Sequence, residues 1–166
     1  MKFFLLRCGL LFCVGGLSST LWAATCTLSA TGINFGNYDP TSNATVTANG
    51  SYTFRCTGTF LGDTVIMTVS TGSSGTYTNR TMKLGSQNLN YNIYFDPGYT
   101  SVAGDGTGGS FYLYGCYGLG SGAPCPVLGG VADGTTYSGP TYGRMLGGQD
   151  VKAGTYIDTL TVTLTF

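Results

Sequence analysis

The sequence predicts an all-β sandwich or barrel, and three observations carry that reading. Candidate runs are short, rich in Thr, Val, Tyr and Phe, and broken by Gly or Asn at intervals of about eight to fifteen residues. Several runs alternate apolar and polar residues with a period of two. The strictest is the last, where Leu160, Val162, Leu164 and Phe166 share one face and Thr159, Thr161, Thr163 and Thr165 the other. No segment carries the 3.6-residue periodicity of an amphipathic helix.

The first element is a targeting segment. Lys2 and Arg7 make a short basic start, Cys8 to Leu17 is apolar or small, and Ser18-Ser19-Thr20 breaks the run before Leu21-Trp22-Ala23-Ala24. This reads as a secretory signal peptide over residues 1–23, with the boundary within one residue. Arg7 leaves the apolar run too short to span a bilayer. The expected mature domain is residues 24–166, about 142 residues, enough for one domain with a core.

The strands follow in order. Cys26–Ala30 leads into Ile33–Phe35. Asn49-Gly50 lies between Val46 and Tyr52 and reads as a hairpin turn, since both residues tolerate positive φ. Ser51–Thr57 then puts Tyr52, Phe54 and Cys56 on one face. Asp63–Ser70 gathers Val65, Met67 and Val69. Thr81–Leu84 is short. Asn88–Phe95 sets Leu89, Tyr91, Ile93 and Phe95 against Asn88, Asn90, Asn92 and Tyr94. Ser110–Gly115 and Thr141–Leu146 are less regular, and Tyr156–Phe166 is last. Pro97–Gly139 is dense in glycine, with Tyr99, Phe111, Tyr112, Tyr114, Tyr117 and Tyr137 interleaved. Such loops are functional or mobile.

Composition removes several function classes. Without the signal, five basic residues (Arg55, Arg80, Lys83, Arg144, Lys152) face seven acidic ones, a net charge of −2. That is no electrostatic surface for nucleic acid. Four cysteines remain, Cys26, Cys56, Cys116 and Cys125. An even count after a signal peptide indicates disulfides in an oxidising compartment. Of the three possible pairings, Cys26–Cys56 with Cys116–Cys125 is preferred. No histidine is present, so histidine-dependent catalysis is excluded, and no cysteine pair has zinc-site spacing. All seven acids are aspartates. No enzyme activity, cofactor or metal is expected. Gly104-Asp105-Gly106-Thr107-Gly108-Gly109 has one carboxylate, too few for a calcium loop, and reads as a flexible turn. Arg80 and Arg144, in a chain of few charges, are expected to hold an acid or backbone carbonyls at a sandwich corner rather than a ligand.

Several motifs converge on a family. Phe35-Gly36-Asn37-Tyr38-Asp39-Pro40 follows the first mature cysteine, and Cys56 ends the second strand. Arg80-Thr81-Met82 precedes Leu89-Asn90-Tyr91-Asn92-Ile93-Tyr94-Phe95-Asp96. Tyr142-Gly143-Arg144 and the stretch from Gly154 to Phe166 close the series. In order and spacing these resemble the spore coat protein U domain, shared with subunits of archaic, Csu-type chaperone–usher pili. The resemblance spans Cys26 to Phe166.

The resemblance implies an incomplete immunoglobulin-like β-sandwich of the pilin type, lacking its final strand. Tyr156, Leu160, Val162, Leu164 and Phe166 would then wall an acceptor groove. A periplasmic pilus chaperone fills such a groove first. After delivery to an outer-membrane usher, the N-terminal extension of a neighbouring pilus subunit replaces it. The protein is then expected in the periplasm and afterwards at the cell surface. Polymerising pilins carry a donor segment before the first cysteine, whereas the expected cleavage here leaves Ala24 and Thr25. At about 3.3–3.6 Å per extended residue, two residues form no strand. The expectation is a subunit that accepts a strand but gives none, at a tip or terminal position. The alternative is a free-standing secreted or surface-coat domain, closed by a segment of Pro97–Gly139. Csu-type tip domains also bind surfaces through apolar loops. Tyr99, Tyr112, Tyr114, Tyr117, Leu119, Leu128 and Tyr137, with Phe111 and Val127, are the candidates here for an adhesive patch against abiotic or host surfaces. The Cys116–Cys125 loop stands as an addition to the family core.

Overall fold

The computed structural model describes residues 23–59, 63–117, 130–131 and 133–166. Among them, the strands in chain order are β1 (Thr25–Thr31), β2 (Val46–Thr57), β3 (Thr64–Val69), β4 (Arg80–Leu84), β5 (Gln87–Tyr94), β6 (Leu113–Tyr117), β7 (Gly130–Val131), β8 (Thr136–Met145) and β9 (Val162–Thr165). A single 3₁₀ turn covers Gly72–Ser74. One sheet has the order β1-β2-β8-β5-β4, the other β7-β6-β3-β9. Neighbours are antiparallel except β6 and β7. The expected all-β, two-sheet sandwich of the pilin-like immunoglobulin type is what forms.

Alternation along the strands builds the core in two parts. Tyr52, Phe54 and Cys56 of β2 meet Val65 and Met67 of β3 and Leu113 of β6. Leu89, Tyr91 and Ile93 of β5 meet Val69, Ala103 and Met145. Cys26 and Cys56 are directly opposed in the β1–β2 ladder and form a disulfide. The 30-residue separation gives a stabilisation of about 3–4 kcal/mol in the chain-entropy description.

Asn49-Gly50 is not a turn. It lies inside β2, with Asn49 opposite Tyr142 and Gly50 opposite Thr141. The glycine serves a close approach instead, because the chain leaving β1 crosses the inner face here. A Cβ on Gly50 would stand 2.6 Å from the Thr31 carbonyl oxygen and 2.9 Å from Ile33. One on Gly143, in the next strand, would stand 2.7 Å from the Phe35 ring. Both glycines leave a seat for this crossing segment, and Ile33–Phe35, expected as a strand, forms none.

The terminal strand is shorter than its alternation predicts. Only Val162–Thr165 pairs with β3, while Ile157 makes an isolated bridge to Lys83 of β4. The chain passes from one sheet to the other between Ile157 and Val162, and period-two burial continues through the crossing.

Arg80 sits at a fully buried corner. Its Nε and Nη2 both donate to Ser70 O (3.2 and 2.8 Å), Nη2 also to Ala103 O (2.6 Å), and Nη1 to Asn92 Oδ1 (2.7 Å). The Tyr77 ring lies 5.2 Å from its guanidinium carbon. This is the carbonyl-holding role expected of it. Burial lowers its pKa, and the surrounding phenols and Asp158 oppose that. The nearby glycine-rich loop is a built turn. Ser110 is buried and its Oγ accepts from Asp105 N and Gly106 N (3.2 Å each) while donating to Thr107 O (2.7 Å). Arg144 lies between two rings, its guanidinium carbon 5.2 Å from the centroid of Tyr94 and 5.1 Å from that of Tyr99.

Candidate functional site

A cleft of about 820 Å³ opens between the sheets. One wall is the segment from Ala30 to Tyr38. The other runs from Val151 through Tyr156, Asp158 and Leu160 to Val162. The floor is apolar: Met67, Val69, Leu89, Tyr91, Ile93 and Met145. Ile33 and Phe35 seat the first wall over Gly50 and Gly143. Tyr38 pins its end, donating to Leu146 O (3.4 Å) and accepting from Gln149 N (2.6 Å).

Both walls include backbone that lies outside the sheet ladders. Residues 32–38 belong to no strand. β9 is an edge strand, bonded to β3 alone. Ser70 N donates to Thr161 O (2.9 Å), and the register continues as Thr68–Thr163 and Ile66–Thr165. Antiparallel pairs alternate in the direction their groups point. The N–H and C=O groups of Val162 and Leu164 therefore face the outer edge, where no strand lies among the described residues.

The polar contacts of the cleft centre on Asp158. Tyr91 Oη donates to Asp158 Oδ2 (2.7 Å); burial, and then this bond, raise the phenol pKa well above its ordinary value. Asp158 Oδ1 accepts from Ser73 N (2.8 Å), Ser73 Oγ (2.7 Å) and Thr159 N (2.9 Å). These bonds fix the crossing segment against the 3₁₀ turn. No group of three or more metal-ligating side chains occurs among the described residues.

The residues expected in the groove divide. Tyr156, Leu160 and Val162 line the cleft. Leu164 is half-buried and packs on the other core cluster. Phe166 is 55% exposed and lines no part of the cleft. Sequence reasoning missed the opposite wall. Its residues were visible in Phe35-Gly36-Asn37-Tyr38, read only as a family mark.

The candidate adhesive residues whose side chains the structure describes lie at separate places. Tyr137 is a correction: it stacks on Phe54 at 5.5 Å and belongs to the core, because its place in β8 opposes Phe54 on the inner face. Tyr99 packs against Tyr94 and Arg144. Tyr114 pairs with Ile66 in the other sheet. Tyr112 precedes β6 and Tyr117 closes it, so they stand at opposite ends of that strand. Leu119, Val127, Leu128 and Cys125, and with it the Cys116–Cys125 bridge, lie outside the described residues.

The profile of the Spore Coat Protein U domain matches residues 16–163. The chain belongs to that family. The match begins inside the segment read as a signal peptide. A search of curated proteins finds no match. Among solved structures, this spore coat protein U domain is similar to one chain of the CsuC–CsuE chaperone–tip adhesion subunit pre-assembly complex from archaic chaperone–usher Csu pili of Acinetobacter baumannii. The TM-score is 0.52 with 21% identity, over 87% of this chain and 40% of that one. At that identity the likeness speaks for the fold, and this chain spans two-fifths of its neighbour's length.

Proposed function

We propose that this spore coat protein U domain is a structural subunit of a chaperone–usher surface pilus, and that it accepts a β-strand of another polypeptide in the cleft beside β9. One observation carries the reading: the outer edge of β9, unpaired among the described residues, adjoins an apolar cleft at Val162. An added strand satisfies the exposed N–H and C=O groups of Val162 and Leu164 and buries alternate apolar side chains on the floor. Left open, such an edge invites aggregation. The partners are a periplasmic chaperone, then a neighbouring subunit delivered at the outer-membrane usher, with export through the periplasm to the cell surface. No catalytic step or cofactor enters this role.

The free-standing alternative requires Pro97–Gly139 to cover β9. Among the described residues of that stretch, residues 102–111 run beside β5 and Val69, and β6 and β7 occupy the far side of the β9 sheet. None reaches the open edge, which favours a partner strand.

The test is co-expression with a periplasmic chaperone. A stable complex, and lower yield and stability without the chaperone, are expected. A chain whose yield and thermal stability are unchanged by chaperone or added strand peptide would refute the proposal. N-terminal sequencing of the exported chain addresses its position: a start at Ala24 supports a tip or terminal subunit, and an earlier start supports an internal one. For adhesion, replacing Tyr117, Leu119 and Leu128 with serine should abolish surface attachment and spare export.

A further inference from the structure

We propose that the outer face of the five-stranded sheet binds a carboxylated glycan, with Arg144 holding a uronate carboxylate. Residues directly opposite in an antiparallel ladder share a face. Asn49, Tyr142 and Tyr94 form one row across β2, β8 and β5, and Thr47 stands opposite Arg144 in the next. Met145 and Ile93 alternate with these residues into the core, so the rows face outward. Thr47 and Asn49 are exposed, and Tyr142 and Arg144 half-buried. Arg144 was expected to hold an acid or a carbonyl, as Arg80 does, and it holds neither. Among the described residues it makes one hydrogen bond, from Nη2 to Tyr94 Oη (3.2 Å), and no acid pairs with it. Asn92, opposite Arg144 on the β5 side, is committed to Arg80.

The cation is held in place. The Tyr94 and Tyr99 rings meet edge to face at 5.4 Å, and their centroids lie 5.2 and 5.1 Å from its guanidinium carbon. Tyr99 is the one non-glycine residue with positive φ (56°) among the described residues. For an aromatic side chain that backbone is strained, and such strain clusters at binding sites. A turn enforces it: Asp96 O accepts from Tyr99 N (3.2 Å), and the Asp96 carboxylate from Thr100 N (3.0 Å) and Ser101 N (2.6 Å). The rings favour the charge but supply no oxyanion, and a planar fork so fixed suits a carboxylate. The neighbouring groups favour a sugar. The Asn49 amide, the Thr47 hydroxyl and the Tyr142 phenol each donate and accept, as sugar hydroxyls do. A protein partner calls for an apolar interface core. No exposed large apolar side chain lies within β2, β5 or β8, and Leu146 stands past the end of β8.

The experiment uses the exported chain, free or held by a co-expressed chaperone. The probes are fluorescein-labelled hexagalacturonate, its methyl ester and hexaglutamate, read by fluorescence anisotropy. The acid should bind about tenfold tighter than the ester, the yield of one charge-assisted pair. Hexaglutamate should bind no better than the ester. Arg144→Gln should lose about tenfold towards the acid and nothing towards the ester. Tyr99→Gly suits the φ of 56° and should keep the fold by circular dichroism. It should still weaken the acid about threefold by freeing the guanidinium. No binding by either sugar, equal binding of acid and ester, or unchanged affinity in Arg144→Gln or Tyr99→Gly overturns the site. Hexaglutamate bound as tightly as hexagalacturonate overturns the glycan and gives the face to an acidic protein.

Discussion

The Arg80 corner and the cleft beside β9 share Ser70 and treat buried backbone in opposite ways. At the corner, Ser70 O takes two bonds from Arg80, and the guanidinium also holds Ala103 O and Asn92. On the cleft side, Ser70 N and Oγ hold the O and N of Thr161, and one residue later the outer edge of β9 has no partner strand among the described residues. The chain thus completes its own polar contacts where the sandwich must be rigid. It leaves apolar side chains half-buried where, in the proposed role, another chain supplies the remainder. Both regions carry strict local patterning, so patterning alone does not separate a finished core from an interface.

The largest expected effect comes from breaking the corner. Arg80→Ala leaves the Ser70 and Ala103 carbonyls buried without this donor and takes one of two donors from Asn92 Oδ1, which keeps the N–H of Ile93. The cost should be roughly 3–5 kcal/mol, as for removal of one member of a buried charged network. Arg80→Lys should recover less than half, since an ammonium lacks the planar fork that reaches three acceptors. Urea unfolding measures both. If Arg80→Ala unfolds like the parent, the corner does not hold the sandwich.

A smaller effect should follow at the cleft wall. Gly143→Ala places a methyl group against the Phe35 ring and Ile33. Displacing that segment should cost about 1–3 kcal/mol and loosen the wall that meets the docking strand. Binding of an added strand peptide of alternating valine and threonine should weaken with it; loss of stability with unchanged peptide affinity would uncouple the two.

Leu160→Ser sharpens the contrast further. Leu160 is half-buried in the cleft, so the chain without a partner should lose only about 1 kcal/mol or less. The strand-bound state buries it fully, and peptide affinity should drop about tenfold. Equal losses in the two states would mean that the cleft is core rather than interface.

Much of this was legible in the sequence, for stateable reasons. Tyr52, Phe54 and Cys56 alternate because one face of β2 is buried and the other is not, and that pattern needs no knowledge of partners. Arg80 was legible from chemistry: an arginine in a chain of few charges must find acceptors. Asn49-Gly50 misled because its dipeptide signature is that of a turn, whereas here glycine makes room for a segment that returns from β1. Tyr156–Phe166 misled because alternation reports an extended, half-buried chain without saying which sheet it joins. The split of the tyrosines between two faces and two ends of the sandwich depends on topology, which spacing along the chain does not encode.

The smallest effect concerns acid. Asp39, Asp105 and Asp133 lie below the usual carboxylate range. Asp39 accepts from the hydroxyl and N–H of Thr41, Asp105 from those of Thr107, and Asp133 from the N–H and hydroxyl of Thr59. For Asp96, desolvation pulls upward, but bonds from Ser101 and Thr100 outweigh it. A depressed carboxylate contributes stability that is complete above its unfolded pKa, about 4, and that fades as pH falls through the folded value. Asp39, Asp105 and Asp133 are exposed and Asp96 is half-buried, and all four lie outside the cleft lining, so the contribution is small and solvent-screened. Thermal melts should be level from pH 7 to 5 and fall below about pH 4. Asp96→Asn should lower the melting temperature at pH 7 and flatten its fall in acid, because the lost carboxylate no longer gains a proton. A melting temperature that rises on acidification would mean that the turns are not what these aspartates hold.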